Sequence, residues 1–84
     1  MTLEALGIAP GHRVRFRRKA DGRWTEGVAV CVEKDGSLGV RDGKGAARAI
    51  PMEIVEVRCV GRRGAPGWEP LLERANRTEQ LKLL

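Results

Sequence analysis

Six cationic side chains lie within a stretch of eleven residues near the start of this 84-residue sequence. Only one acid, Asp21, lies among them, whereas the rest of the chain holds ten basic and ten acidic residues. The formal net charge of +5 therefore resides in this one stretch. Guanidinium and ammonium groups bind phosphates through charge-assisted hydrogen bonds, so clustered cations are typical of polyanion-binding surfaces. The six are Arg13, Arg15, Arg17, Arg18, Lys19 and Arg23.

The first three of these arginines alternate with Val14 and Phe16. This period of two predicts a half-buried strand whose apolar side chains face a core and whose arginines line up outward. Outward residues on a strand lie about 6.5–7 Å apart, so successive arginines could meet successive backbone phosphates. Such contacts carry little sequence preference. A solvated Arg-rich surface is the competing interpretation, because Arg outnumbers Lys along the whole chain; charge patterning leaves both open.

A second, smaller basic group, Arg62 and Arg63, sits in a Gly-rich stretch at 61–67. Its composition predicts a loop. We add both arginines to the six above as candidate nucleic-acid-binding residues. The loop is too short to identify a ligand by itself.

Enzymatic and metal-binding patterns are missing from the sequence. The single histidine, His12, has no nucleophile or orienting carboxylate near it in the chain, and a general base needs such partners. A zinc site needs about four ligands, whereas the chain offers His12, Cys31 and Cys59. Both cysteines lie in apolar strand-like runs, which predicts buried free thiols. We therefore expect no enzyme, no metal and no cofactor.

The totals indicate one domain, 1–84, with a modest core. The start of the chain lacks the basic and apolar regions of a signal peptide. The longest apolar run, at 28–32, is too short to span a membrane. A cytoplasmic monomer without membrane contact is the default expectation.

The elements that must position the arginines follow from turns and alternation. Thr2, Leu3, Leu6 and Gly7 predict a short N-terminal helical turn. Three Asp-Gly pairs mark turns between alternating runs, which predicts five short strands and a mainly β fold closed into a barrel or sandwich. The strands are expected at about 12–19, 23–34, 37–41, 46–50 and 54–60, with a 3₁₀ turn before the last. In the second strand, the side chains expected in the core are Trp24, Val28, Val30 and Val32, with a bulge at Gly27.

After the loop at 61–67, residues 68–84 predict a C-terminal helix and tail. An apolar stripe at helical spacing runs through Trp68, Leu71, Leu72 and Ala75, and Pro70 suits a first helical turn. This stripe is expected to cover an open end of the barrel. The apolar tail, Leu81, Leu83 and Leu84, is expected to pack on the barrel or on a partner.

Taken in order, these features resemble the SH3-like small β-barrels, and among them the Tudor-type pattern. The resemblance covers 11–60 and describes a small five-stranded SH3-like barrel. The residues that carry it are Gly11-x-x-Val14, Trp24-x-x-Gly27-Val28-x-Val30, Asp35-Gly36, Val40-x-Asp42-x-x-Gly45 and Ile50-Pro51-x-x-Ile54-Val55.

Tudor domains that read methylated side chains use a cage of several aromatics, and this chain departs from that pattern. It has no Tyr, and Gly43 follows Asp42 where the family tends to have Tyr. The resemblance instead implies the role of bacterial members of the superfamily, which act as docking modules for nucleic acid or protein. Two functions stay open: a nucleic-acid-binding module (RNA or DNA), and a protein–protein adaptor that uses a strand edge and the C-terminal helix and tail.

Overall fold

The structure is a computed structural model. It describes residues 1–82, except for the side chains of Arg62 and Lys82. The chain is mainly β, with six strands and one C-terminal helix. The strands are β1 (Arg13–Phe16), β2 (Thr25–Val32), β3 (Leu38–Asp42), β4 (Ala47–Ile50), β5 (Val55–Val60) and β6 (Pro66–Pro70), and the helix is α1 (Leu71–Lys82). Three short 3₁₀ turns span Glu4–Leu6, Met52–Ile54 and Arg62–Gly64.

The six strands form one antiparallel sheet in the order β4-β3-β2-β1-β5-β6. One face of the curved sheet holds the core, together with side chains of the first 3₁₀ turn and of α1. The largest side chains with less than 2% exposure are all aliphatic: Leu38, Ile50, Val14, Val40, Val55 and Val57 of the strands, and Leu71 of α1.

The local predictions from alternation and turns are largely confirmed. Val14 and Phe16 are buried, at 0% and 3% exposure, and the Arg13–Phe16 segment is the strand between β2 and β5. The 3₁₀ turn before β5 is present at Met52–Ile54. Gly7 ends the first 3₁₀ turn in the left-handed conformation, with φ of 81°, as its position after Leu6 predicts.

The expected closure into a five-stranded barrel is not confirmed, because the sheet is open with six strands. A five-stranded barrel would close by pairing its edge strands, β4 and β5. The outer edge of β5 instead pairs with β6, from Glu56 opposite Pro70 to Val60 opposite Pro66. The chain reverses between β5 and β6 at Arg63 (φ 63°) and Gly64 (φ 77°). This tight hairpin places β6 on the edge of β5 with which β4 would have to pair in a closed barrel.

The prediction of a helix beginning at Trp68 is wrong for its first three residues. Trp68, Glu69 and Pro70 belong to β6, and α1 begins at Leu71. Helical spacing among Trp68, Leu71 and Leu72 arose by coincidence across a strand–helix junction. The predicted loop at 61–67 likewise contains the start of this strand. Leu83 and Leu84, the end of the predicted tail, lie outside the described residues.

The predicted inward face of β2 is wrong for Trp24, Val28 and Val30, and only Val32 packs against the core. Gly27 pairs with the buried Val14, so Gly27 faces the core and its neighbours Glu26 and Val28 face outward. The bulge lies at Val30, since Ala29 pairs with Val40 and Cys31 with Gly39. This extra residue leaves Val30 44% exposed while Ala29 is buried.

The bulge also affects a prediction for the thiols. Cys31 is exposed instead of buried, and Cys59 is half-buried; both are free.

No helix within residues 1–82 has the length and apolar character that crossing a bilayer demands.

Candidate anion-binding surface

The outward face of β1 carries the arginines that the sequence singled out. The buried Val14 and Phe16 fix the opposite face, so Arg13 and Arg15 point away from the core. In β5, the outward residue opposite Arg15 is Glu56. In β6, Trp68 stands opposite Arg58 of β5.

These outward side chains form a row of alternating guanidinium and indole groups, which we call the Trp–Arg ladder. The Arg15 guanidinium carbon lies 3.9 Å from the ring centroid of Trp24 and 4.8 Å from that of Trp68. Arg17 lies 4.3 Å from the Trp24 centroid, and Arg58 lies 5.2 Å from that of Trp68. All four distances are within the range of cation–π attraction. The ladder links β1, β5, β6 and the residue preceding β2.

The central guanidinium of the ladder is also bonded to a carboxylate. Arg15 donates from Nε and Nη2 to Oε1 of Glu56, at 2.8 and 2.6 Å. The Arg15 and Glu56 side chains are only 25% and 27% exposed. Stacking and ion pairing together leave Arg15 little freedom to meet a phosphate. Arg15, predicted as a binding residue, is therefore mainly a structural residue of this face.

Arg13 differs from Arg15 in its exposure. Its Nη2 is 3.6 Å from Oε1 of Glu26, and the two side chains are 67% and 56% exposed. An exposed pair at this distance contributes little to stability and is easily exchanged for another anion. The Arg13 guanidinium, at the side of the ladder, is therefore free to contact another anion.

The other basic residues of the stretch lie in the turn between β1 and β2. The turn is closed by a hydrogen bond from the Gly22 amide to the Lys19 carbonyl, at 2.9 Å. Among residues 1–82, salt bridges engage only Arg13 and Arg15 of the six clustered cations. The four without a carboxylate partner in that range are Arg17, Arg18, Lys19 and Arg23.

These four cations line one surface cavity of about 280 Å³, which we call the basic hollow. Arg48 of β4 lines it too, and the remaining lining residues are Phe16, Gly22 and Thr25. None of these lining residues, all within the described chain, is acidic. On the other side of the turn, a second cavity of about 310 Å³ is also lined by Arg17, Arg18 and Lys19, but there the carboxylates of Glu53 and Glu56 lie beside them. The basic hollow is therefore the more electropositive of the two.

Arg48 was not among the predicted site residues, and Asp42 explains its position. The Arg48 Nε donates to Oδ2 of Asp42 at 2.8 Å, and Asp42 is only 8% exposed. Oδ1 of the same carboxylate accepts from the amides of Lys44 and Ala46, both at 2.9 Å. The hydrogen bond from Arg48, followed by those from the backbone, holds the pKa of Asp42 below its ordinary value.

The backbone turn that carries Arg62 and Arg63 lies away from the basic hollow. Their turn follows β5, which runs antiparallel to β1, so it lies at the end of the sheet where β1 begins. Arg18 and Lys19 follow the opposite end of β1. By the register of β1 and β5, Val60 is level with residue 11, six residues before Arg17, so at about 3.3 Å per residue the two turns are at least about 20 Å apart along the strand direction. The predicted residues thus divide into two groups.

The residues that sequence reasoning missed are Trp24, Glu56, Arg58 and Trp68 of the ladder, together with Arg48. For Trp24, one sequence feature was informative. Gly27 lies opposite an apolar residue of β1, which allows the side of β2 that carries Thr25 and Gly27 to face the core and places Trp24 outward. For Trp68, Glu56 and Arg58, no local pattern indicates the pairing of β5 with β6.

Other polar side chains here have structural partners. His12 Nε2 lies 2.8 Å from the Arg58 carbonyl oxygen, which ties the start of β1 to β5. The pKa of the Cys31 thiol is raised by partial loss of hydration and by the hydrogen bond to Glu33, so it is a poor nucleophile at neutral pH. Among the described residues, no three His, Cys, Asp or Glu side chains come together in a way that could hold a metal ion.

The chain was compared with family models, with curated proteins and with solved structures, and none of the three comparisons finds a match.

Proposed function

We propose that this chain is a small non-enzymatic binding module that contacts nucleic-acid phosphates through the turn after β1 and the outward face of β1. One observation carries the proposal: four of the six clustered cations have no carboxylate partner within residues 1–82, and all four line one cavity. Unpaired cations gathered on one patch attract a polyanion and gain from the release of its counterions.

The Trp–Arg ladder supports this role by ordering the patch. Arg17 is held against Trp24, so its guanidinium loses little conformational freedom when a phosphate binds. Arg15 and Glu56 keep the ladder in place without adding a free charge. Contacts made from this face are directed to phosphates, which predicts binding with weak sequence preference.

The test is a titration of labelled single-stranded RNA, single-stranded DNA and duplex DNA followed by fluorescence anisotropy. The double variant Arg18→Gln/Lys19→Gln removes two exposed cations of the basic hollow. The control, Lys34→Gln/Arg41→Gln, removes one Arg and one Lys from exposed positions that do not line it. We expect the first variant to lose roughly tenfold in affinity and the control to lose less than about threefold. Equal losses in both would reduce the effect to net charge, and no binding by the wild type at low salt would exclude the function.

A second candidate function, a protein–protein adaptor, is favoured by the unequal edges of the sheet. The edge strand β6 begins with Pro66 and ends with Pro70, which lack backbone donors. The opposite edge strand, β4, is exposed from Ala47 to Ala49, and its two alanines leave the backbone beside them accessible. An extended peptide could add to this edge.

Leu72 and Leu81 of α1 are 47% and 64% exposed, and each offers apolar surface that a protein partner could cover. Co-purification from the native host distinguishes the adaptor from the nucleic-acid module. A stoichiometric protein partner that survives nuclease treatment and slows amide hydrogen exchange in β4 supports the adaptor. A complex that nuclease disperses contradicts it.

A further inference from the structure

The basic hollow differs from a row of strand arginines in the way its cations are placed. They come from three separate parts of the chain: the segment after β1, the residue preceding Trp24, and β4. They therefore surround one volume instead of following a line. A line of cations suits the singly charged phosphodiesters of a backbone, whereas a concave group suits one ligand group of higher charge.

Two of the five cations are already held in position. Arg17 stacks on Trp24 with 4.3 Å to the ring centroid. Arg48 is bonded to Asp42, which is buried and fixed by two backbone amides. Ordering these side chains on binding therefore costs less than ordering free surface arginines. The remaining cations, Arg18, Lys19 and Arg23, are exposed and can turn toward a ligand.

The volume of the hollow indicates the size of the group that fits. Phe16, Gly22 and Thr25 complete its lining, and Phe16 is only 3% exposed. The cavity volume of about 280 Å³ accommodates a phosphate with part of its nucleoside.

We propose that the basic hollow receives the terminal phosphate monoester of a nucleic-acid strand. This inference rests on the proposed nucleic-acid-binding function and names the group that the site selects. A terminal phosphate carries close to two negative charges at neutral pH and three strong acceptor oxygens, whereas a backbone phosphodiester carries one charge. Of the five cations that line the hollow, only Arg48 has a carboxylate partner, Asp42, so four unpaired charges remain to match the former.

The test compares oligonucleotides of about eight nucleotides that end in a 5′-phosphate, in a 3′-phosphate, or in hydroxyl groups only. A hydroxyl-ended strand that is two nucleotides longer serves as the charge-matched control, because one doubly charged terminal phosphate equals two phosphodiesters in charge. We expect at least one phosphorylated strand to bind about tenfold tighter than this control. The 5′ and 3′ strands identify which end is taken.

A matched pair of variants locates the effect. Lys19→Gln and Lys34→Gln remove the same charge from two exposed turns, one lining the hollow and the other beyond the far end of β2. We expect Lys19→Gln to reduce the preference for the terminal phosphate severalfold and Lys34→Gln to leave it unchanged.

The outcomes separate this inference from the proposed function. Equal affinity for the phosphorylated strands and the charge-matched control overturns the terminal-phosphate site and leaves nucleic-acid binding intact. A preference that Lys34→Gln weakens as much as Lys19→Gln also overturns it, because the group would then bind elsewhere. No binding of any strand overturns both.

Discussion

The guanidinium of Arg15 is bonded to the carboxylate of Glu56 at 2.6 Å while it contacts the indoles of Trp24 and Trp68. The two bonded residues are 41 positions apart in the chain and directly opposite each other in β1 and β5. Arg15, which the sequence predicts to be an exposed cation, is thereby the central residue in the side-chain contacts of the outward face. Its exposure of 25% indicates that packing, as well as charge, is lost when it is replaced.

Arg15→Lys should therefore destabilise the fold. Lysine keeps the charge but loses the planar group that stacks between two indoles and donates twice to one oxygen. We expect a loss of about 1–3 kcal/mol in the free energy of unfolding, measured by urea denaturation. Arg13→Lys is the control, since Arg13 is exposed and weakly paired, and it should change stability by less than about 0.5 kcal/mol. Equal effects at both positions would contradict the structural role of Arg15.

Removing the Arg15 side chain should create a site for free guanidinium. In Arg15→Ala the two indoles and Glu56 lose the cation between them. When the guanidinium concentration equals its dissociation constant for this site, the Tm of the variant should be about 2 °C higher than in equimolar sodium chloride. The same guanidinium concentration should not raise the Tm of the wild type, where the Arg15 side chain fills the site. A rise in both proteins would point to a general salt effect.

Gly27→Ala should destabilise the sheet because Gly27 faces the core beside β3. An added Cβ would clash with the Arg41 carbonyl oxygen and lie 2.9 Å from Cγ1 of Val40. We expect a loss of about 1–3 kcal/mol in urea denaturation. Gly43→Ala is the matched control, because a Cβ there meets nothing within 4 Å and its φ is not positive. A Gly27→Ala protein as stable as the control would mean that β2 and β3 are farther apart than the structure has them.

The buried carboxylate of Asp42 should make stability depend on acid pH. Its pKa is lower in the folded chain than in the unfolded chain, chiefly because Arg48 and two amides bond to the ionised form. The stabilisation is complete above the ordinary aspartate pKa of about 3.9 and is lost as the pH falls through the lower folded value.

Asp42→Asn should therefore lower the midpoint of urea denaturation at pH 7 and have a smaller effect at pH 2. Asp21→Asn, in the exposed turn after β1, should leave the difference between the two pH values as in the wild type. If Asp42→Asn lost as much at pH 2 as at pH 7, ionisation of Asp42 would not be the cause.

The affinity for nucleic acid should fall with salt in proportion to the cations engaged. With about four contacts from the turn after β1, log K against log salt should have a slope of roughly −3 to −4. The variant Arg18→Gln/Lys19→Gln should make the slope shallower by about 1.5 to 2, whereas Lys34→Gln/Arg41→Gln should leave it near the wild-type value. A wild-type slope near zero would mean that binding does not depend on phosphate contacts.

Much of the strand content was predictable because its causes are local. Alternation of apolar and polar residues identifies β1, β3 and β5, and the buried state of Val14, Phe16 and Val57 follows from it. The 3₁₀ turn after Pro51 and the left-handed Gly7 likewise depend on neighbouring residues only.

The candidate site was predictable to a smaller extent. The concentration of charge between Arg13 and Arg23 is a property of the sequence, and it led to the turn after β1. Which of these cations is free depends on distant partners: Glu56 occupies Arg15, and Trp24 holds Arg17. Arg48 lines the hollow only because the tertiary fold brings a side chain of β4 beside the turn after β1.

The β character of the chain, the inward side of β1 and the position of the excess charge each follow from spacing within a few residues, so they can be predicted from the sequence. Three other features cannot: Trp68 belongs to a sixth strand, the bulge at Val30 changes the faces of β2, and Arg15 is bound within the ladder. These features depend on strand register and on contacts between residues far apart in the chain. A one-residue change in register would move each of those side chains to the other face, so no local pattern specifies them.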